Sequence, residues 1–133
     1  MKFSLPFHLV TGLWGENQAA TFLEKKGHKI LSRRFRVTAR DEFDLITRLN
    51  DTLVFVEVKT RRTELYGRPV SAVERRKRHH LSRAAVRYLQ RLKHPVNFRF
   101  DVVEVVGEKD GPEPVIRHIE AAFPLDRCYA LPW

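Results

Sequence analysis

A chain of 133 residues, 43% of them hydrophobic, is long enough to bury one core and hardly long enough for two, which excludes a disordered composition. Lys and Arg number 25 against 16 Asp and Glu, and the resulting formal charge of +9 favours polyanionic partners, because each neutralised phosphate releases counterions. The single cysteine, Cys128, excludes an internal disulfide, leaves no Cys-rich zinc site in view and fits a reducing cytoplasm.

Met1 to Trp14 is apolar with Lys2 near its front, as in a signal peptide. Pro6, His8 and Thr11 interrupt it and no small-residue cleavage site follows, so it reads as a lead-in to a helix. That helix is expected from Leu9 or Thr11 to Lys26, stopped by Gly27. Strand-like runs follow over His28–Val37, Glu42–Leu49 and Leu53–Arg61, with Asn50-Asp51 as a tight turn, and should form an antiparallel meander. Ser71 and Glu74 have capping-box spacing, which predicts a second helix from Ser71 to about Lys93, before Pro95. Phe98–Val106 is a fourth strand, Gly107–Pro114 a surface loop and Val115–Glu120 an edge strand; Phe123–Trp133 has no clear assignment. A helix after a meander can return the chain to a strand that pairs parallel, so a mixed central sheet with a helix on each face is expected, in one domain spanning 1–133. No apolar stretch approaches the roughly 20 residues of a membrane span.

The third strand carries the chemistry. Alternation puts Val54, Val56 and Val58 on one face and Phe55, Glu57, Lys59 and Arg61 on the other. In the second strand Glu42, Asp44 and Ile46 share a face, and an in-register hairpin sets Asp44 beside Glu57. Two neighbouring carboxylates repel unless a cation lies between them, and a hard divalent ion is the natural occupant. Lys59 points the same way. The plain alternative is an exposed face of cross-strand ion pairs. A face that a helix must cover makes that alternative costly.

Each helix also carries a charge on its apolar stripe. Leu13, Ala20 and Leu23 fall within about 60° of Glu16 around the first helix. Val73, Leu81, Ala84 and Tyr88 fall within about 40° of Lys77 on the second. A dipole-favoured Glu and a snorkelling Lys are the structural alternatives. Arg61, Arg62, Arg68 and Arg76 suit phosphate contacts, as do Arg75 and Arg78, with Arg33, Arg34, Arg36 and Arg40 as a second group. His79 and His80 are adjacent, poor spacing for a shared metal, and read as surface or groove residues; Asp101 reads as structural, paired with an arginine. No P-loop, dinucleotide fingerprint, HExxH or CxxC is present.

Gly15-Glu16, Ala20, Leu23, Gly27, Glu42-Phe43-Asp44-Leu45-Ile46, Val54 to Arg61, Gly67, Lys77 and Arg99-Phe100-Asp101 together resemble the bacterial YraN-like family over nearly the whole chain. Asp44 with Glu57-Val58-Lys59 is also similar to the acid plus Glu-x-Lys signature of the PD-(D/E)xK superfamily, and the order of elements is similar to archaeal Holliday-junction resolvases. The resemblance implies a restriction-endonuclease-like three-layer α/β/α fold with element order α-β-β-β-α-β-β. It implies a Mg²⁺- or Mn²⁺-dependent endonuclease that hydrolyses phosphodiesters, with DNA favoured over RNA; cutting both strands symmetrically would suit a homodimer. Asp44, Glu57 and the Val58 backbone carbonyl would hold the metal, with Glu16 binding directly or through water. Lys59 would position or activate the attacking water, and Lys77 would hold a phosphate or reinforce the site. The family usually has Gly where this chain has Asp41, which implies a changed turn and an extra acid near the metal. The competing expectation is a nucleic-acid-binding module of the same fold that is inactive alone or needs a partner.

Overall fold

The computed structural model describes residues 7–38, 41–63 and 75–133. The predicted start of the second helix at Ser71, and Arg68, lie outside these residues. The elements are α1 (Phe7–Lys25), β1 (Lys29–Arg36), β2 (Glu42–Leu49), β3 (Thr52–Arg61), α2 (Arg75–Leu89), β4 (Asn97–Val106) and β5 (Val115–Phe123).

Gly27 stops α1 as its sequence suggests. At φ +96° it adopts a backbone conformation that costs a side-chain-bearing residue energy. The His28 N–H then reaches the Leu23 carbonyl and the Gly27 N–H that of Glu24, which closes the open end of the helix. β1, β2 and β3 pair antiparallel in succession, and Asn50 turns the β2–β3 hairpin with φ 55°. Helix α2 carries the chain over the sheet, so β4 pairs parallel with β3, and β5 closes antiparallel on β4. The five-stranded order is β1-β2-β3-β4-β5, which leaves β1 and β5 as edges.

The two-residue period of the strands sorts the core. Val54, Val56, Val103 and Val105 meet Ala19, Ala20 and Leu23 of α1. Phe55, Phe100 and Val102 meet Leu81, Ala84, Ala85 and Leu89 of α2. Burying each Leu or Phe contributes about 1.5–3 kcal/mol, so both helices are held chiefly by these contacts. Among the described residues no helix is long and apolar enough to cross a membrane.

Three boundaries differ from expectation by two residues or more, and several others by one. Helix α1 begins two residues before Leu9, at Phe7. Helix α2 ends at Leu89 rather than Lys93; tighter turn bonds from Arg91 N–H to Tyr88 and Leu92 N–H to Leu89 terminate it ahead of Pro95. Strand β5 continues past Glu120 to Phe123, whose ring stacks on Phe100 at 5.0 Å. Its extension passes through a bulge at which the Ala121 N–H donates to Asp101 Oδ1 at 3.0 Å. Asp101 also accepts from Arg99 Nε at 3.0 Å and pairs with His118 Nε2 at 2.7 Å. Burial pushes this carboxyl up, but those hydrogen bonds outweigh it and hold it below the usual range. Asp101 is thus the structural, arginine-paired residue its sequence setting suggests.

Candidate active site

The site forms where β2 and β3 part. Their ladder ends at Leu45 opposite Val56, and beyond it the Val58 N–H donates to Asp44 Oδ2 at 2.7 Å. A side chain thus replaces the backbone acceptor, which fixes the Asp44 carboxyl beside β3. Strict alternation would place Phe43 with Leu45 on the α1 face. Instead its ring lies 5.0 Å from Phe55 and 5.9 Å from Phe100 on the α2 face, so β2 leaves its regular pleat around Asp44.

Glu57 is 6% exposed. Lys59 Nζ lies 3.7 Å from its Oε1, and Lys77 Nζ of α2 lies 3.8 Å from its Oε2. Oε2 has no hydrogen-bond partner among the described residues. Burial and then the Glu57 charge push the Asp44 carboxyl up to about 8, with Glu16 adding to the effect and the Val58 N–H and Lys77 opposing it. Burial also raises Glu57, against the pull of Lys77 and Lys59. The metal-free pair therefore retains a proton at neutral pH. Two adjacent carboxyls, one buried and one half-buried, with an unpartnered oxygen, fit a hard divalent cation.

Glu16 comes to the same end of the sheet on α1 because Gly15 lets the helix approach β3. A Cβ at Gly15 would stand 2.0 Å from Thr60 Oγ1. Gly15→Ala is therefore expected to lower stability by about 1–3 kcal/mol in denaturant unfolding, and Thr60→Ala to recover part of that loss. The Glu16 carboxylate is engaged by Arg34 Nε at 3.2 Å and by Arg33 NH1 at 3.9 Å. Arg34 sits at φ 55°, near the β1 bulge after Ile30. Its attachment to the buried acid is a site feature beyond the phosphate role its position suggests.

The remaining sequence candidates are dispersed. The Arg61 guanidinium folds back on the Thr60 carbonyl, and Arg62 pairs with Glu108 at 3.5 Å. Arg76 lines a cleft between α2 and the segment after β5. His79 and His80, read as surface or groove residues, are half-buried, line the same cleft and are bonded to Asp126 and Asp41 respectively.

Asp41 corrects an expectation. Its carboxylate is buried against α2, bonded to Arg83 Nε and Nη2 and to His80 Nδ1, rather than joining Asp44 and Glu57. The Arg83 hydrogen bond holds its carboxyl low against the effect of burial. An aspartate here gains a cation from the helix, which a glycine would not. Asp41→Ala is expected to cost about 1–3 kcal/mol of stability and to leave Mn²⁺ affinity unchanged. A Mn²⁺ affinity lowered tenfold would return Asp41 to the metal.

The family model described as "Uncharacterised protein family UPF0102" matches residues 15–105, a span that includes Gly15, Asp44, Glu57, Lys59 and Lys77. A UPF0102 protein of Syntrophomonas wolfei is 47% identical over 84% of this chain and 96% of its own length. Another, from Syntrophus aciditrophicus, is 41% identical over 94% of this chain and 97% of its own. A third, from Trichlorobacter lovleyi, is 42% identical over 84% and 87%.

Proposed function

The chain belongs to the uncharacterised protein family UPF0102, the YraN-like proteins, and on the chemistry of the Asp44–Glu57 carboxyl pair we propose that it is a Mg²⁺- or Mn²⁺-dependent nuclease that hydrolyses phosphodiester bonds, with DNA as the favoured substrate. The observation that carries this reading is Glu57: buried, beside the half-buried Asp44, with two lysines near it and one oxygen unpartnered. Ion pairing alone would leave Glu57 with two lysines at 3.7 and 3.8 Å, neither close enough for a good hydrogen bond. Helices packed on opposite faces of a mixed sheet support a restriction-endonuclease-like, PD-(D/E)xK layering.

Asp44 and Glu57 would hold the ion, with the Val58 carbonyl as a third oxygen. Glu16 would act at its rim, directly or through water. When bound, the ion supplies Lewis-acid polarisation of the phosphoryl oxygen and a water more readily deprotonated. Lys59, with its ammonium against Glu57, orients the attacking water in line with the scissile bond. Lys77 offers its ammonium to a phosphate oxygen, and its side chain is exposed enough (37%) to reach a ligand. The Val58 N–H keeps Asp44 from rotating away. Arg61, Arg62 and Arg76 would contact the flanking backbone, consistent with the +9 charge. A homodimer would present two such sites to two strands.

Cleavage of labelled single strands, duplexes, flaps and four-way junctions, as DNA and as RNA, with Mg²⁺, Mn²⁺ or EDTA, tests the proposal. Metal-dependent cutting of at least one DNA substrate is the expected result. Salt-sensitive binding without cutting under any metal would replace it with the binding-module reading.

A further inference from the structure

Away from the carboxyl pair, a second set of ligand-type side chains converges between α2 and the segment after β5. Asp126 Oδ2 lies 3.2 Å from His79 Nδ1, and Cys128 Sγ lies 3.6 Å from the same nitrogen. The three ligand atoms fall within 4.8 Å of one another. We propose that His79, Asp126 and Cys128 form a second metal site, suited to a borderline cation of the Zn²⁺ type, that fastens the C-terminal segment to α2.

The donor set selects the ion. Imidazole, carboxylate and thiolate together suit Zn²⁺, whereas Mg²⁺ and Mn²⁺ prefer oxygen alone. The carboxylate and thiolate would neutralise the dication. Spacing agrees: tetrahedral bonds of about 2.0–2.3 Å put neighbouring ligands about 3.3–3.7 Å apart. Both separations from Nδ1 lie near that range, so closing the site asks for a small movement of one side chain.

The surroundings are already organised. The Cys128 N–H donates to Asp126 Oδ1 at 3.1 Å, and the Tyr129 N–H to the Asp126 carbonyl at 3.1 Å, so a tight turn presents both ligands. The Asp126 N–H is tied to Ser82 Oγ of α2 at 2.9 Å. Tyr129 Oη lies 3.1 Å from His79 Nε2. With Nε2–H donated to that oxygen, Nδ1 turns its lone pair toward the other two ligands, the outer-shell arrangement that metal-binding histidines use. The cleft they line, about 610 Å³ and bounded also by Arg75, Arg76 and His80, opens to solvent and leaves a fourth position for water.

A cysteine-nucleophile reading fits the geometry less well. A catalytic imidazole takes the thiol on one nitrogen and the carboxylate on the other. Here both approach Nδ1.

Titration of the reduced, EDTA-treated full-length protein with Co²⁺, followed by absorption, tests the site. The expected result is a thiolate-to-cobalt charge-transfer band with tetrahedral visible bands, saturating at one equivalent and bleached by Zn²⁺. Cys128→Ser should remove the band, and His79→Ala and Asp126→Asn should each weaken binding about 10–100-fold, with far-ultraviolet circular dichroism confirming that each variant is folded. Asp44→Asn should leave the band intact, so failure here is separable from failure of the nuclease reading. Absence of the band in the wild type, or its survival in Cys128→Ser, would overturn the proposal.

Discussion

The metal-free protein is expected to lose about 2 kcal/mol of stability between pH 6.5 and pH 8, and Asp44→Asn to remove most of that loss. The Asp44 carboxyl rises from 3.8 unfolded to about 8 folded, through burial and the Glu57 charge. Across that interval the native state binds a proton the unfolded chain does not. The stability this contributes is complete below about pH 4 and is lost as pH climbs through about 8. His28 runs the other way: burial, then His118, lowers its pKa from 6.5, so its unfavourable contribution fades as pH rises to 6.5. Asp41 and Asp101 are held low, and their contributions are lost only in acid. Above pH 6.5 what remains of these contributions is that of the Asp44–Glu57 pair, whose second carboxyl is also raised by burial. Urea unfolding in EDTA at half-unit pH steps measures it, and saturating Mn²⁺ should restore stability most at the alkaline end. A flat profile for the wild type would remove the buried proton and the argument built on it.

Glu57→Ala is expected to abolish metal-dependent cleavage, a loss of at least about a thousandfold, because it removes the proposed metal ligand and the partner of Lys59 and Lys77 together. Lys59→Ala should retain metal binding and lose about 10²–10⁴ in cleavage rate, as expected of a group that acts on the water rather than on the ion. Lys77→Ala should weaken substrate binding more than it slows the chemical step. Single-turnover cleavage with substrate concentration varied separates the two effects. Equal losses in every variant would mean that they share a folding defect, which circular dichroism would reveal.

Much of the framework can be read from local pattern. The alternation in Val54–Arg61 places Glu57 and Lys59 on one face, and Asn50-Asp51 sets the hairpin register that brings Asp44 to Glu57. Gly27 ends α1 for a reason internal to its own turn. What escapes such reading depends on distant partners. Gln90 to Lys93 are adequate helix formers, and only the tighter turn ahead of Pro95 ends α2 early. Strand β5 outlasts Glu120 because Asp101, on the neighbouring strand, supplies the acceptor at its bulge. Asp41 looks like an additional metal acid until Arg83, 42 residues later, is seen to hold it. The meeting of His79 with Asp126 and Cys128 spans 47 and 49 residues and joins a helix to a segment without periodicity, so no spacing rule finds it. Gly15 has a visible signal, a glycine inside a helical run, whose purpose becomes clear only when Thr60 lies against it.

Everything proposed for catalysis stands on a divalent cation lying between Asp44 and Glu57. Calorimetric titration of the protein with Mn²⁺ near neutral pH, in two buffers of different ionisation enthalpy, is the direct measurement. Binding accompanied by release of up to one proton, and lost in both Asp44→Ala and Glu57→Ala, is the expected result. Mn²⁺ binding that persists in those variants, or is absent from the wild type, would contradict it.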